Sequence, residues 1–424
     1  MQLFPYQIEG AKFLATTKRA LLADDMGLGK SAQAIAACDQ IEGCLSVAVV
    51  CPASLVENWK REIDKFKTGP WTAEVTSYNR ATESPFPGQE FDVLILDEAH
   101  YLKSPKAKRT KAIFGEKCDG VGGLVERAAN VFCLTGTPTP NNPSELWPML
   151  RAVMPASIEA PTKTGKMRPL PYWSFVEKFC VTQDTGFGIK IIKGRNLPLL
   201  KSSIAPFVLR RKKDDVLKDL PPIRFDTLAL EGDKLPCDDI GWDQIALALK
   251  NDGVSGLKAI APHVAQLRRV TGLAKAPAAA EWIDAQLDGG VAKLVVFAHH
   301  RDVIQVLVNS LRDGQYGHVV LDGSKSSDER DAAVWNFQNE ESCRVFIGQI
   351  QAAGTGLTLT AASDVLFVES SWVPAENEQA AMRVHRIGQR NACIVRFAML
   401  AGSIDEDIQK AVMRKTADIS RLFS

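Results

Sequence analysis

No run of apolar residues in this 424-residue chain is long enough to span a bilayer, which argues against a membrane protein. Its first residues, Met-Gln-Leu-Phe-Pro-Tyr-Gln, have neither the basic stretch nor the apolar stretch of a secretory signal. An intracellular location is expected, cytoplasmic in a prokaryotic or viral setting and nuclear in a eukaryotic one. None of the nine cysteines (38, 44, 51, 118, 133, 180, 237, 343 and 393) forms a Cys-x-x-Cys pair, so the spacing of a metal or redox motif is missing. An odd, scattered set reads as reduced thiols. The chain also lacks low-complexity tracts and internal repeats of about 20–50 residues. A hydrophobic content of 46% and a charged content of 24% are those of an ordinary globular chain, and the length allows about two to four domains.

The net charge is only +1, which by itself does not suggest a polyanion partner. Its distribution does. Thirteen Lys/Arg against three Asp/Glu between Arg151 and Lys213 give a local balance of +10, leaving −9 on the rest. A basic face of this kind suits nucleic acid.

Strand-like apolar runs alternate with helix-like stretches through the first 150 residues. Thr17–Asp24, Leu45–Cys51, Phe91–Leu96 and Val131–Leu134 read as buried strands, and Lys30–Gln40 and Leu55–Phe66 as helices. That alternation predicts a parallel sheet covered by helices, with ligands beyond the carboxyl ends of its strands. Residues 151–222 read as a basic helical insertion ending in a joining segment, and 223–282 as a second helical insertion. The alternation resumes over 283–424, with strands at Lys293–Phe297, His318–Leu321, Arg344–Ile347, Asp364–Val368 and Ile394–Leu400. The expected fold class is α/β, with two parallel-sheet lobes and helical insertions.

Asp24-Asp-Met-Gly-Leu-Gly-Lys-Ser31 sits between a strand-like and a helix-like run. Gly27 and Gly29 let backbone N–H groups approach phosphates, and the following helix adds its positive end. Lys30 would reach the β- and γ-phosphates, and Ser31 would ligate Mg²⁺. The general phosphate-loop pattern wants glycine at position 24, where this chain has Asp24. Asp97-Glu98-Ala99-His100 follows the strand at 91–96; Asp97 suits a Mg²⁺ partner and Glu98 a group that polarises the attacking water. Far downstream, Gln379–Arg390 carries Arg383 and Arg386 three residues apart. On a helix that spacing puts both guanidinium groups on one face, where they would complete the nucleotide site. His299-His300 reads as a strand-end turn rather than a metal site.

These stretches together resemble the Swi/Snf-type double-stranded-DNA translocases, helicase-like ATPases of superfamily two, over nearly the whole chain. Phe4–Leu14 resembles the adenine-reading segment and assigns Gln7 to adenine. Leu22–Ser31 resembles the family's phosphate loop, in which Asp24 is normal; Asp25, Met26, Gly27, Leu28, Gly29, Lys30 and Ser31 are then nucleotide-binding. Val50–Glu62 and Thr76–Tyr78 resemble DNA-contacting motifs, which implies Ser54, Asn58, Lys60, Ser77 and Tyr78 as DNA contacts. Trp59 reads as a core residue. Leu134–Pro138 resembles the motif linking nucleotide state to DNA grip, with Thr135, Gly136 and Thr137. Val208–Pro221 resembles the segment joining the lobes. In the second lobe the resemblance assigns Gly323, Arg330 and Thr355 to DNA, and Gly354, Gly356, Trp372, Gln379 and Gln389 to coupling.

Two departures stand out: Val373 after Trp372, where the family usually has asparagine, and the loose Ala352-Ala353-Gly354-Thr355 run. The Ala-Ala pair and compact insertions are similar to the HepA-related annealing helicase branch. The resemblance implies ATP and Mg²⁺ as cofactors, double-stranded or branched DNA as partner, no membrane, and action as a monomer on DNA. The chain is also expected to lack room for histone-binding or targeting modules. The expected activity is DNA-stimulated ATP hydrolysis driving translocation on duplex DNA. The alternatives are an annealing or fork-remodelling motor, and a nucleotide-regulated DNA-binding scaffold that hydrolyses weakly.

Overall fold

The computed structural model describes residues 3–83, 86, 88–139, 142–162, 164–184, 188–231, 261–311, 316–353, 356–371, 373–400 and 405. Two compact units divide the chain between Lys218 and Asp219.

The first unit is built on a six-stranded, all-parallel sheet. Its strands are β1 (Arg19–Leu22), β2 (Ser46–Cys51), β3 (Thr72–Ser77), β4 (Phe91–Asp97) and β5 (Ala128–Leu134). The insertion then contributes two antiparallel hairpins, β6 (Glu159–Pro161) with β7 (Met167–Pro169) and β8 (Cys180–Asp184) with β9 (Ile189–Gly194), before β10 (Val208–Leu209) returns to the sheet. The strand order is β10-β1-β5-β4-β2-β3. Alternate side chains of each strand point to opposite faces. Val47, Val49, Val93 and Ile95 therefore pack with helices α1 (Pro5–Thr17), α2 (Lys30–Gln40) and α3 (Val56–Phe66). Ala48, Val50, Leu94 and Leu96 join a second core that includes Phe175, Phe179, Leu200 and Ile204.

That second core corrects the expected insertion at 151–222. The segment is mixed rather than helical, and its helices Tyr172–Phe179 and Leu197–Ile204 complete the first unit's hydrophobic core. The two antiparallel hairpins are what the Gly/Pro punctuation encodes.

The second unit repeats the plan with β11 (Ile223–Leu230), β12 (Leu294–Ala298), β13 (Gly317–Leu321), β14 (Cys343–Gln349), β15 (Asp364–Phe367) and β16 (Cys393–Leu400), in the order β11-β16-β15-β12-β14-β13, all parallel. The stretch placed at the start of a second helical insertion is thus partly a strand. Ile223–Leu230 pairs with β16 along its whole length, and its Ile-Arg-Phe-Asp-Thr alternation is that of an exposed edge. The helix Ala261–Asp288 follows, with Pro277 inside it. Among the described residues no helix is long and apolar enough to cross a membrane, and the described cysteines are buried and free.

Candidate nucleotide site

The loop after β1 lies at the carboxyl end of the first sheet, where parallel α/β sheets place their ligands. Gly27 and Gly29 both take left-handed backbone angles, φ 85° and 71°. The left-handed angle favours glycine at 29, and a Cβ there, 2.4 Å from Gln7 Nε2, would also push the Gln7 amide aside. Lys30 opens α2 and Ser31 follows within its first turn. The Lys30 ammonium donates to the carbonyl oxygens of Asp24 (2.8 Å) and Asp25 (3.3 Å). Burial pulls its pKa below the usual lysine range, while Glu98, Asp24, Asp97 and Asp25 push the other way.

Asp97 ends β4 with its side chain buried. Oδ1 accepts the Glu98 N–H (2.9 Å) and Oδ2 accepts the Trp59 indole N–H (2.7 Å). The Tyr78 hydroxyl donates to the Asp97 carbonyl (2.8 Å). Burial, reinforced by the neighbouring Glu98 carboxylate, pushes the Asp97 carboxyl up to about 6. Glu98 occupies the left-handed region at φ 49°, a conformation that non-glycine residues adopt at a price in strain and that recurs at functional sites. His100 Nδ1 lies 3.3 Å from the Glu98 carboxylate and 2.9 Å from Thr135 Oγ1. Thr135 Oγ1 also accepts the Thr137 N–H (3.1 Å). A Cβ on Gly136 would lie 2.7 Å from Met26 Cγ and 3.4 Å from Lys30 Nζ. Phosphate loop, acid pair and the 134–138 motif are therefore one contiguous cluster within the first unit.

Asp24, in the generic glycine position, is fully buried, and its partner is Arg211 beside β10. The guanidinium holds both carboxylate oxygens, at 3.1 Å from Nε and 2.5 Å from Nη2, and the Arg211 backbone N–H adds a third bond at 3.1 Å. Nη2 also reaches Gln33 Oε1 (2.7 Å), and Nη1 donates to the Tyr6 carbonyl. The Gln33 amide returns to Asp24 Oδ2 (3.1 Å) and to the Leu28 carbonyl (3.1 Å). Gly10 is glycine because a Cβ would lie 1.8 Å from Gln33 Oε1. Asp25 receives the Lys213 N–H (3.1 Å) and pairs with Arg210 (3.4 Å). Residues 210–213 thus clamp the start of the phosphate loop. In the sequence, Arg210–Lys213 belong only to the Val208–Pro221 stretch that resembles a joining segment; the signal for their role is Asp24, a carboxylate whose burial demands a cationic partner.

Gln7 is buried beside this network, its Nε2 on the Leu28 carbonyl (3.2 Å) and its Oε1 accepting the Phe4 N–H (3.0 Å). Adenine recognition by Gln7 would have to use the second N–H and the remaining lone pair. Among the described residues no cluster of three His, Cys, Asp or Glu groups could hold a metal alone. Asp97 with Ser31 fits an ion that takes most of its ligands from phosphate oxygens and water, which is the habit of Mg²⁺.

The residues assigned to DNA fall into two groups. Ser54 and Lys60 are exposed and Asn58 half-buried, with Lys60 paired to Glu57 at 2.7 Å. Ser77 is buried and caps the short helix Tyr78–Ala81 by accepting the Arg80 N–H. Tyr78 departs from its assignment: it is 2% exposed and turned towards Asp97. In the second unit Gly323 donates to Gln349 Oε1 (3.2 Å) and Arg330 to the Ala352 carbonyl (2.8 Å). Gly354, Thr355 and Trp372 lie outside the described residues.

The arginine pair does not share a helix. The helix Pro374–Ala381 ends before it, and Arg383 and Arg386 stand in successive turns. Arg383 is buried with Nε on the Gln379 carbonyl (3.0 Å); Arg386 is half-buried, with Nη1 on Thr358 Oγ1 (3.2 Å). Gln389 explains the turns. Its amide donates to the carbonyls of Thr360, Ala362 and Val384 (3.3, 2.7 and 3.1 Å), and its Oε1 accepts the N–H groups of Arg390 and Asn391. Gly388 beside it takes φ 100° and Gly356 takes φ 74°. His385 reaches the Pro221 carbonyl (2.7 Å). His299 and His300 do form a strand-end turn, both backbone N–H groups donating to the Glu369 carboxylate (2.8 and 2.9 Å).

A model of the SNF2-related domain matches residues 6–85 and 72–235, and one of the helicase conserved C-terminal domain matches 280–388. The chain belongs to the SNF2-related family. This agrees with the resemblance drawn from its motifs. The human DNA annealing helicase and endonuclease ZRANB3 is 29% identical over 95% of this SNF2-related chain and 39% of its own length. A Caenorhabditis elegans homologue of the SWI/SNF-related matrix-associated actin-dependent regulator of chromatin subfamily A-like protein 1 is 30% identical over 98% of this chain and 61% of its own. The chain therefore spans about two-fifths of the human relative. A Sulfolobus solfataricus SWI2/SNF2 ATPase core solved with dsDNA is 24% identical, covers all of this chain and 93% of its own, and superposes with a TM-score of 0.44.

Proposed function

We propose that this chain hydrolyses ATP in response to duplex or branched DNA and uses the cycle to translocate on it. The observation that carries the reading is the cluster of Lys30, Ser31, Asp97 and Glu98 around a left-handed glycine loop in a SNF2-related chain. Lys30 would leave the Asp24 and Asp25 carbonyls for the β- and γ-phosphates. Ser31 and Asp97 would hold Mg²⁺, which when bound screens charge on the phosphates. Glu98 would orient and polarise the attacking water, with His100 and Thr135 holding its position. Ser54, Asn58 and Lys60, with the basic 151–213 stretch, would meet the DNA backbone through sequence-independent, salt-sensitive contacts.

The test is turnover of ATP without DNA and with single-stranded, duplex and branched DNA. Stimulation by duplex or branched DNA that weakens with salt supports the reading; turnover indifferent to DNA refutes it. A second reading, an annealing motor, is favoured by the name of the human relative. ATP-dependent re-pairing of a single-strand-coated bubble distinguishes it from tracking alone.

A further inference from the structure

The two segments of the first unit that resemble DNA-contacting motifs, Val50–Glu62 and Thr76–Tyr78, each send one aromatic side chain inward, and both end on the same residue. Ser54, in the turn that leads into α3, is exposed and Asn58 on α3 is half-buried, while Trp59 and Ile63 are one turn apart in the core. Trp59 is 1% exposed, yet its indole N–H is not idle: it donates to Asp97 Oδ2 at 2.7 Å. After β3, Asn79 and Arg80 are exposed, while Tyr78 is 2% exposed and donates to the Asp97 carbonyl at 2.8 Å. Trp59 thus holds the Asp97 side chain and Tyr78 its main chain, from two segments that flank β2 and β3.

Packing alone does not account for this. A buried aromatic chosen for bulk is served by phenylalanine, whereas both positions carry the polar atom that reaches Asp97. The Trp59 bond, from a neutral donor to a carboxylate, is among the stronger kinds, and the Tyr78 bond fixes the main chain that carries that carboxylate.

We infer that Trp59 and Tyr78 are positioning residues that transmit occupancy of the DNA-facing segments to Asp97. A shift of α3 or of the 77–80 turn on contact with a polyanion moves a hydrogen-bond donor of Asp97 directly, with no intervening residue. The Asp97 carboxylate is then aimed for Mg²⁺ when the surface is engaged and is less well aimed when it is not. This rests on the proposed DNA-dependent hydrolysis and names the route by which the dependence arises.

The experiment compares wild type, Trp59→Phe and Tyr78→Phe in the full chain. Three quantities are read: duplex-DNA affinity by anisotropy, the ratio of turnover with and without DNA, and the Mg²⁺ concentration giving half-maximal turnover in each state. In wild type, DNA should lower the half-maximal Mg²⁺ concentration. In the variants DNA should bind as tightly as before and the Mg²⁺ midpoint should no longer respond to DNA, while the stimulation ratio should fall by roughly tenfold in Trp59→Phe, which loses a charge-assisted bond, and by about two- to tenfold in Tyr78→Phe, which loses a bond to a neutral carbonyl. A purely structural role would lower stability without uncoupling Mg²⁺ from DNA. Where Trp59→Phe does not fold, Tyr78→Phe, which removes one hydroxyl, decides. Stimulation and Mg²⁺ response equal to wild type overturn the inference alone. Wild-type turnover that ignores DNA overturns the proposed function and the inference with it.

Discussion

Removing Arg211 should destabilise the first unit far more than removing a surface arginine ordinarily does. Arg211→Ala leaves the Asp24 carboxylate, which has no exposure to solvent, without its cation and without two of its donors. Stripping one partner from a buried pair costs about 3–5 kcal/mol, because the remaining charge stays desolvated. Gln33 and the Tyr6 carbonyl lose a donor as well, which adds to the loss rather than offsetting it. For a unit of this size each kcal/mol lowers the melting temperature by about 2–4 °C, which gives a drop of roughly 6–20 °C.

Calorimetry on the full chain is the assay, since two units need not unfold in one transition. Asp24→Gly, which restores the generic phosphate-loop residue, should also destabilise, because it strands Arg211. Against the single variants Asp24→Asn and Arg211→Met, the double variant Asp24→Asn, Arg211→Met should recover a large part of the loss, with a coupling of at least about 2 kcal/mol in that cycle. Additive losses, or an Arg211→Ala variant within about 1 kcal/mol of wild type, would refute the reasoning: Asp24 would then be solvated or paired elsewhere.

Four further outcomes are expected. Lys30→Ala should reduce DNA-stimulated turnover by at least about 100-fold, and unchanged turnover in a coupled ATPase assay would remove Lys30 from the site. Arg386→Ala should leave ATP binding intact while slowing hydrolysis by roughly 10³-fold or more, the range of an arginine acting on transferred phosphate; equilibrium binding and single-turnover rates separate the two. The Asp97 carboxyl sits at about 6, above its ordinary value, so the folded state retains its proton longer than the unfolded chain does. The stabilisation from that proton is complete below about pH 4 and is lost as pH rises to about 6, so metal-free wild type should weaken relative to Asp97→Asn across that window by up to about 3 kcal/mol, and parallel denaturant midpoints would contradict it. Gln389→Leu should lower the melting temperature of the second unit, since it removes the amide that ties the Thr360, Ala362 and Val384 carbonyls to the Arg390 and Asn391 N–H groups, at about 1 kcal/mol per bond lost; an unchanged melting profile would show the turn to be held by other means.

The parallel sheets were legible because both faces of each central strand are buried. Val47–Val50 and Val93–Leu96 are apolar at every position, which only a covered strand requires. β10 was not legible, because two residues carry no period, and Val208–Leu209 pair with β1 only once the joining segment is in place. Ile223–Leu230 has the alternation of an edge strand, but its partner lies far along the chain. The arginine pair was misplaced for a similar reason. Helical spacing describes Arg383 and Arg386 only while the helix continues, and it stops at Ala381, where the Gln389 amide holds the following turns by their carbonyls. Polar roles inside the core were the least legible. Trp59 at helical spacing is correctly read as buried, yet its bond to Asp97 depends on two strands being adjacent.

The charges around the phosphate loop limit how a nucleotide can enter. Asp24, Asp25, Asp97 and Glu98 surround the Lys30 ammonium, while Arg210 and Arg211 bind Asp25 and Asp24 from the other side. Four carboxylates against three cations leave the loop without surplus positive charge, and Lys30 is already bonded to two carbonyls. A bare triphosphate would have to outcompete those carbonyls while facing Asp97 and Glu98, whose repulsion adds to burial in raising Asp97. The backbone N–H groups of the loop and the end of α2 offset part of that repulsion, but they are fixed dipoles and not charges. A divalent cation relieves it at the place where the two acids stand. The arrangement therefore favours nucleotide and metal arriving as one species, and nucleotide affinity measured in a chelator should fall well below that measured in Mg²⁺, with Asp97→Asn narrowing the difference.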